Sequence, residues 1–321
     1  MPDRFVVGVD LGGTKILALV VDKQFAVVGR AKKSTKAQEG VAHVHNRIVA
    51  AVIEACRGAG LDPKALAGVG VGSPGPLDPA TGVIIDSPNL GWHNYPLREK
   101  LQQALGVPVA VDNDANLGTL SEQRLGAARG KQHVVGIFAG TGIGGGLVLN
   151  GQLFYGASGA AGEIGHIVMN PDGPLCGCGN RGCLEAIASR SAIAGEAAVA
   201  AVRGHAPHLL AACGGDVTKV RSGDLAEAIQ AGDQAIETIV RRAARYIGIA
   251  IGSLVNLLSP DCVVLGGGMV EAMEDIFLAE AREALKHHAM PYLAQRVEIM
   301  PARLGDDAVA LGAALLIAEK R

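Results

Sequence analysis

The sequence predicts an α/β fold made of two related domains, and three observations support that prediction. The chain has 321 residues, more than one hydrophobic core usually covers. Segments that read as strands alternate with segments that read as helices. Residues 6–14 (VVGVDLGGT) also resemble residues 134–142 (VVGIFAGTG), and each apolar run breaks at glycines before a second apolar run begins. Unless these glycine-rich segments recur by chance, each domain opens with a β-hairpin.

The other predicted elements follow in chain order. A helix that ends at a glycine is predicted first, then a strand leading into a Pro/Gly loop, then a strand, an acidic turn and a helix. The second half adds a long helix whose middle is apolar on most faces, which indicates burial, then a buried strand and a final helix. These elements lie in turn at residues 45–60, 66–78, 108–128, 233–260, 261–269 and 312–320.

Composition and charge exclude several functional classes. Hydrophobic residues make up 49% of the chain and charged residues 19%, which is typical of a globular protein with a large core. The net charge is -2 and no block of like charges occurs, so neither a nucleic acid nor a membrane is an expected partner. The N-terminal segment is too short and too acidic for a signal peptide, and the cysteines are not spaced as in a disulfide framework. We therefore expect a cytoplasmic protein.

Three glycine clusters, each directly after a predicted strand, indicate a nucleotide site. Glycine lets the backbone approach a ligand closely and direct successive N–H groups at phosphate oxygens. Thr14 and Thr141 each add a hydroxyl donor, and Asp10 is placed to hold Mg²⁺ through water. A tight turn would explain any one cluster, whereas three at strand ends favour phosphate binding. The clusters lie at residues 10–15, 140–146 and 266–268.

The acidic turn VDNDAN at residues 111–116 offers a candidate catalytic base. Asn113 and Asp114 come at a strand end, immediately before a predicted helix. An aspartate at this position often acts only as a helix N-cap. The alternative is a general base that orients a hydroxyl and accepts its proton as the hydroxyl attacks a phosphoryl group. The predicted phosphate loops favour the second interpretation for Asp114.

A cluster of one histidine and three cysteines indicates a metal site. The pattern is His-x9-Cys-x-Cys-x4-Cys, formed by His166, Cys176, Cys178 and Cys183. One imidazole and three thiolates complete a tetrahedral Zn²⁺ site with no open position, so we expect the zinc to be structural. The alternative is a glycine-rich loop of free thiols, which is rare in a cytosolic protein. Two flanking glutamates are either surface residues or acceptors for a polyhydroxyl substrate: Glu163 and Glu185.

Taken together, these segments resemble the ROK family (repressor, open reading frame, kinase) of the actin-like ATPase and hexokinase superfamily. The resemblance covers nearly the whole chain, and the cysteine loop is its most distinctive part. The matching segments are DLGGTK (10–15), SPGPLD (73–78), NLGWHN (89–94), NDAN (113–116), GTGIGGG (140–146), GEIGH (162–166), CGCGNRGCLE (176–185) and LGGGM (265–269). The resemblance implies two actin-like (ribonuclease H-like) domains with a cleft between them, and ATP-dependent phosphorylation of glucose at its 6-hydroxyl.

The resemblance also implies a role for each matching residue. Asp114 would accept the proton of the sugar 6-hydroxyl, and His166 would use one ring nitrogen for zinc and the other for the sugar. The sugar would contact Gly75, Asn89, Asn113, Asp114, Glu163, His166 and Glu185. ATP, with its Mg²⁺, would contact Asp10, Gly12, Gly13, Thr14, Lys15, Thr141, Gly142, Gly267 and Gly268.

The domain boundaries follow from the same resemblance. A small α/β domain is predicted to combine residues 1–115 with residues 305–321, because the last helix crosses back to the first domain. Residues 116–304 would form a large α/β domain that carries the zinc site. Sugar binding is expected to close the cleft and exclude water, which would otherwise accept the phosphoryl group. A homodimer or homotetramer is expected.

Related activities remain open at this stage. A kinase for N-acetylmannosamine or N-acetylglucosamine, or a fructokinase-like member, would share the zinc loop and the acidic turn, although residues 89–94 resemble the glucose-specific form most. Polyphosphate is a less expected donor, because relatives that use it generally lack the cysteine loop. A sugar-responsive repressor would carry an N-terminal helix-turn-helix, for which a first strand near Phe5 leaves no room. A non-catalytic sugar sensor would have lost Asp114 or its glycine loops, and both are present.

Overall fold

Two five-stranded sheets organise the structure, a computed structural model that describes residues 5–319. A third sheet has three short strands. The strands are β1 (Val6–Leu11), β2 (Lys15–Val21), β3 (Val27–Ser34), β4 (Gly68–Ser73), β5 (Leu77–Asp78), β6 (Val83–Ser87), β7 (Trp92–Tyr95), β8 (Val109–Asn113), β9 (Val134–Ala139), β10 (Ile143–Leu149), β11 (Gln152–Leu153), β12 (Cys262–Gly266) and β13 (Glu298–Pro301). The helices are α1 (Val41–Gly58), α2 (Leu97–Leu105), α3 (Asp114–Arg124), α4 (Leu184–Ala188), α5 (Arg190–Val202), α6 (Pro207–Cys213), α7 (Ser222–Gln230), α8 (Gln234–Leu258), α9 (Gly268–Ala272), α10 (Glu274–His288), α11 (Pro291–Ala294) and α12 (Ala308–Glu319).

The two large sheets share one topology. The first has the order β3-β2-β1-β4-β8, and the second has the order β11-β10-β9-β12-β13. In the first sheet β1 is antiparallel to β2 and parallel to β4; in the second, β9 is antiparallel to β10 and parallel to β12. The repeat seen in the sequence therefore corresponds to equivalent hairpins, β1–β2 and β9–β10, and the predicted two-sheet α/β architecture is confirmed.

Both faces of the first sheet are buried, which explains the nearly continuous apolar character of its parallel strands. Side chains of β1 such as Val7 and Val9 pack with α1 and α2 on one face. The opposite face packs against α12 and against Leu117 of α3. Glycines in the strands allow this second contact, since a Cβ at Gly8 would lie 1.7 Å from the Ala310 carbonyl oxygen of α12. The last helix thus rests directly on the strand backbone.

One face of the second sheet packs against α3, and the other packs against a helical layer that includes the long helix α8 and α10. Residues along the middle of α8, including Ile247 and Ile251, have no exposed surface and pack in one cluster with β9 and β12. The sequence predicted this burial from the apolar character of the helix, and the prediction is confirmed. Within residues 5–319, no helix is both long enough and apolar enough to cross a membrane.

A buried carboxylate holds the point where the chain returns from the second sheet to the first. Glu122 of α3 has no exposed surface, and its Oε1 accepts hydrogen bonds from the backbone N–H groups of Arg303 and Leu304 (both 2.8 Å). These two residues link β13 to α12. The predicted boundary between residues 304 and 305 falls beside this contact and stays a prediction, as does the boundary after residue 115. Residues 1–4 and 320–321 of the predicted small domain lie outside the described residues.

Candidate active site

The carboxyl ends of three parallel strands bring the predicted acidic residues to one edge of the first sheet. Asp10 of β1 pairs with Gly72 of β4, and Gly72 pairs with Asp112 of β8. Asp10 therefore lies two strands from the acidic turn. Asp114 begins α3 immediately after β8 and is half-buried. The structure thus brings the predicted magnesium ligand and the predicted base to the same sheet edge.

Asn113 acts as the N-cap of α3. Its Oδ1 accepts hydrogen bonds from the backbone N–H groups of Ala115 (2.8 Å) and Asn116 (3.2 Å). Its Nδ2 faces the Pro/Gly loop, because a Cβ on Gly75 would lie 3.6 Å from that nitrogen. The cap is supplied by Asn113, so α3 does not need Asp114 as its cap. The Asn113 amide nitrogen and the Gly75 backbone, both predicted sugar contacts, lie together.

Burial and nearby negative charge make both aspartates harder to ionise. Burial raises the pKa of Asp114, and the negative charge of Glu163 raises it further, while a hydrogen bond from the Ala115 N–H (2.8 Å) opposes the increase. Burial and the charge of Asp114 raise the pKa of Asp10 to about 7, against the opposing effect of Lys15. Such a site favours a bound cation, which relieves the repulsion between the carboxylates.

Replacing Asp10 by asparagine should stabilise the metal-free protein at high pH. The folded-state pKa of about 7 exceeds the ordinary value of 3.8, so the folded protein holds a proton that the unfolded chain has released. The stability of the wild type therefore falls as pH rises from about 4 to about 7 and then levels off. At pH 8 we expect Asp10→Asn to gain on the order of 2 kcal/mol in free energy of unfolding, and less at pH 5. Urea titrations without divalent cations measure this, and parallel pH profiles for the two proteins would contradict it.

Equivalent glycine turns close the two hairpins. In the β1–β2 turn the Gly12 N–H donates to the Lys15 carbonyl (2.9 Å), and in the β9–β10 turn the Gly140 N–H donates to the Gly142 carbonyl (2.9 Å). Each turn carries its predicted threonine. Both turns lie at the strand ends that the sequence predicted for phosphate binding, one in each half of the molecule.

Two of the predicted sugar residues, Asn89 and Glu185, lie beside these turns. A Cβ on Gly13 would come within 3.5 Å of the Asn89 Cβ, so the first turn contacts the segment that carries Asn89. Oε2 of Glu185 accepts a hydrogen bond from the Ile143 N–H (2.9 Å). A Cβ on Gly142 would lie 2.3 Å from the same oxygen, which explains the glycine there. Glu185 therefore joins the segment after the cysteine loop to the second turn.

Lys15, a predicted ATP contact, has a protein partner. Its Nζ donates to Oδ1 of Asp306 at 2.6 Å. Asp306 lies just before α12, and its negative charge contributes to the raised pKa of Asp10. The structure therefore places Lys15 at the acidic edge, but bound to a carboxylate that sequence patterns did not reveal.

The third glycine cluster lies next to the second turn. Gly267 has φ +88°, and a Cβ there would lie 2.5 Å from the carbonyl oxygen of Ala139 at the end of β9. Gly268 faces α7, because its Cβ would lie 3.7 Å from the Ser222 Oγ. The predicted phosphate and adenosine loops of the second half are therefore neighbours.

The histidine and the three cysteines of the predicted metal site converge. The ligand atoms of His166, Cys176, Cys178 and Cys183 all lie within 4.8 Å of one another. The Cys178 and Cys183 sulfurs are 3.7 Å apart, and the Cys176 sulfur is 3.6 Å from Nδ1 of His166. A tetrahedral zinc with ordinary bond lengths gives edges of about 3.8 Å between sulfurs and about 3.6 Å between sulfur and nitrogen. The donor set and its spacing therefore fit Zn²⁺, and Nε2 of the histidine faces away, 4.0 Å from Oε2 of Glu163.

Two contacts at the site escaped the sequence patterns. Asp112 is fully buried, and its Oδ2 accepts a hydrogen bond from the Tyr155 hydroxyl (2.5 Å). Arg190 begins α5 and donates from Nη2 to the Thr141 Oγ1 (2.6 Å). Asp112 stood within the acidic turn, but nothing in the sequence paired it with a tyrosine 43 positions away. The arginine lies just after the CLE segment, whose pattern says nothing about a turn 49 positions earlier.

Removing the Tyr155 hydroxyl should destabilise the protein. The Tyr155→Phe change keeps the ring but removes one of the hydrogen bonds that the buried Asp112 carboxylate accepts, a charge-assisted one, and this loss costs about 2 kcal/mol in free energy of unfolding. Chemical denaturation measures the loss. Tyr246→Phe is the matched control, because the partly buried Tyr246 of α8 has no hydroxyl hydrogen bond to any described residue. A loss below about 0.5 kcal/mol for Tyr155→Phe would contradict the importance of this contact.

Comparison with known proteins identifies the family. The model of the ROK family matches residues 6–320. This chain belongs to the ROK family. It is 36% identical to a glucokinase of Halalkalibacterium halodurans over 321 residues, which is 100% of this chain and 97% of the relative. It is 35% identical to a glucokinase of Thermotoga maritima, covering 100% of this chain and 99% of the relative.

A solved structure of the ROK family agrees in fold over almost the whole chain. The crystal structure of a ROK family glucokinase from Streptomyces griseus, in complex with glucose and AMPPNP, superimposes with a TM-score of 0.86. The two sequences are 34% identical, and the match covers 98% of this chain and 99% of that one. The predicted family and the hexokinase-like fold are therefore confirmed.

Proposed function

We propose that this ROK-family protein transfers the terminal phosphoryl group of ATP to the 6-hydroxyl of glucose, with Asp114 as the general base. One observation carries the proposal. Asp114 stands at the sheet edge that also holds Asp10, with the Asn113 amide beside the Gly75 loop. Relatives about one-third identical along the whole chain are glucokinases, which supports the choice of reaction.

The proposed chemistry depends on a base that is a stronger acceptor than an ordinary aspartate. Burial raises the pKa of Asp114, so its carboxylate, when ionised, holds a hydroxyl proton more firmly. The sugar oxygen would form its bond to the γ-phosphorus as the bond from phosphorus to the leaving ADP oxygen breaks, and the hydroxyl proton would pass to Asp114. Backbone N–H groups of the two glycine turns would bind the phosphates. Asp10 would hold Mg²⁺, which neutralises phosphate charge.

The proposed zinc is structural. His166, Cys176, Cys178 and Cys183 would fill its four positions, which leaves none for substrate. With Nδ1 of His166 beside the cysteine sulfurs, Nε2 is available to a sugar hydroxyl. The same loop leads into α4 and Glu185, whose carboxylate contacts the second glycine turn. Zinc would therefore fix two sugar contacts without taking part in the reaction.

The proposed assembly and location are those expected from the sequence. We propose a homodimer or homotetramer, and exposed apolar side chains near the end of α8 support it: Leu257 (78% exposed), Met290 (62%) and Tyr292 (63%). The proposed partners are small molecules, and we propose neither a nucleic acid nor a membrane as a partner. A net charge of -2 agrees with this choice. The proposed location is the cytoplasm.

A coupled assay of ADP release tests the function. Mg-ATP is supplied with glucose, mannose, fructose, N-acetylglucosamine or N-acetylmannosamine, and kcat/KM values are compared. Glucose should lead by tenfold or more, which corresponds to about 1.4 kcal/mol of transition-state preference. An acetamido sugar in the lead would refute the glucose assignment, and no turnover with any sugar would refute the kinase itself.

A further inference from the structure

Arg190 lies where the structure brings two predicted nucleotide-binding loops together. Its Nη2 donates to the Thr141 hydroxyl at 2.6 Å, and its Nη1 donates to the carbonyl of Val220 at 3.4 Å. Ser222 lies two positions after Val220 and faces Gly268 of the third glycine cluster. The guanidinium therefore spans the gap between the loop predicted for phosphate and the loop predicted for adenosine.

No carboxylate in the part of the chain that the structure describes neutralises the charge of this guanidinium. Neither Arg190 nor its neighbour Arg221 forms an ion pair with any carboxylate among residues 5–319. Arg221 directly follows Val220, whose carbonyl accepts from Arg190, and burial together with the positive charge of Arg221 lowers the pKa of Arg190. Two neighbouring guanidinium groups without a protein acid form a ready site for a ligand with several negative charges.

The local hydrogen bonds leave donors free for such a ligand. The guanidinium has five N–H groups, and the two contacts made by Arg190 use two of them. Since the Thr141 oxygen accepts from Arg190, the hydroxyl hydrogen of Thr141 remains available to a further acceptor. The Thr141 carbonyl is held by the Ser191 hydroxyl at 2.8 Å, so the turn itself is fixed. An oxygen acceptor placed here would meet both a guanidinium N–H and a hydroxyl.

We propose that Arg190, assisted by Arg221, binds the phosphate chain of the nucleotide donor from the side of the second domain. This inference rests on the proposed kinase function and adds to it a cationic contact that the glycine turns lack. It also explains why Lys15 can pair with Asp306, since Arg190 supplies positive charge to the nucleotide from the opposite side of the cleft.

Nucleotide binding to the full-length protein tests the proposal without requiring turnover. Dissociation constants are measured calorimetrically with Mg²⁺ for adenosine, ADP and AMPPNP. Arg190→Ala should raise the dissociation constants of ADP and AMPPNP by about ten- to hundredfold, the usual effect of losing a charge-assisted hydrogen bond. The dissociation constant of adenosine should change by less than about twofold. Arg190→Gln keeps an N–H donor for the Thr141 contact but removes the charge, and it should show the same pattern even where the alanine variant folds poorly.

The control and the outcomes separate this inference from the function on which it rests. Arg203→Ala removes an exposed arginine immediately after α5, about 20 Å along the helix from Arg190, and should leave all three affinities unchanged. If Arg190→Ala lowers the affinities for adenosine and ADP equally, Arg190 only supports the loops and the proposal is wrong. Unchanged ADP affinity would also overturn the proposal. If the wild type binds AMPPNP but phosphorylates no sugar, the kinase function fails while the Arg190 result stands. If it binds no nucleotide, both fail.

Discussion

Asp114→Asn is expected to lower kcat for glucose phosphorylation by about a thousandfold, the middle to upper range for loss of a general base. The substitution keeps the size and shape of the side chain, and asparagine can still accept the hydrogen bond from the Ala115 N–H (2.8 Å). The cap of α3 comes from Asn113 and is untouched. The glucose dissociation constant should therefore change by no more than a few-fold, and the loss should appear in kcat.

The folding stability of the same variant provides an independent check. Burial raises the pKa of Asp114 in the folded protein, so the wild type loses stability as pH rises through that pKa. The asparagine variant lacks this loss and should be at least as stable as the wild type at pH 8. A fall in activity together with an unchanged or increased melting temperature is the expected pair of results, and it excludes misfolding as the cause.

Asp62→Asn is a suitable control for Asp114→Asn. Asp62 lies in the same half of the molecule, and its carboxylate accepts a hydrogen bond from the Lys64 N–H (3.0 Å), a role asparagine can also fill. This control should retain wild-type kcat. Turnover of Asp114→Asn within tenfold of the wild type would remove Asp114 as the base and point to a water or another carboxylate at the sheet edge.

The fold was largely predictable because its signals are local and repeated. The hairpins were visible in residues 6–14 and 134–142, since each combines a β-branched run with a glycine turn. The burial of α8 followed from apolar side chains on most of its faces. The convergence of the four candidate metal ligands was also predictable, because they lie within 18 residues (166–183) and the spacing alone limits how far apart they can be.

The remaining contacts depend on how distant segments meet, which no local pattern records. Lys15 and Asp306 are 291 positions apart, and the GDD turn before α12 gives no sign that it will face a glycine loop. Tyr155 reaches Asp112 across the two halves of the molecule. In both cases the sequence identified one partner as belonging to a functional turn, and only the packing of α12 and of the loop after β11 supplied the other.

Cys183→Ser is expected to abolish stoichiometric zinc binding and to raise the KM for glucose by about ten- to hundredfold, the usual cost of releasing groups that orient a binding site. We expect the metal to fix the exposed part of the segment between His166 and Cys183. Leu175 is 65% exposed and Val168 is 47% exposed, so apart from Ile167 and Met169, which pack against the core of the second sheet, the segment buries few apolar side chains. Its regular pairing consists of isolated bridges, Val168 with Cys183 and Leu175 with Arg181. Without zinc, His166 and the start of α4 lose their fixed positions.

The effect of zinc must be separated from that of magnesium and from that of losing any buried thiol. The wild type is stripped with a chelator, dialysed and assayed with Mg²⁺ restored, so that only zinc is missing; its glucose KM should rise as in Cys183→Ser. Cys213→Ser is the matched control, because this buried thiol at the end of α6 lies outside the cluster, and zinc content should stay near one per chain. Since the proposed zinc has no open position, its loss should act mainly on sugar affinity, whereas a catalytic zinc would chiefly lower kcat at saturating glucose. Zinc-free protein with unchanged KM would show that the loop holds its shape without the ion.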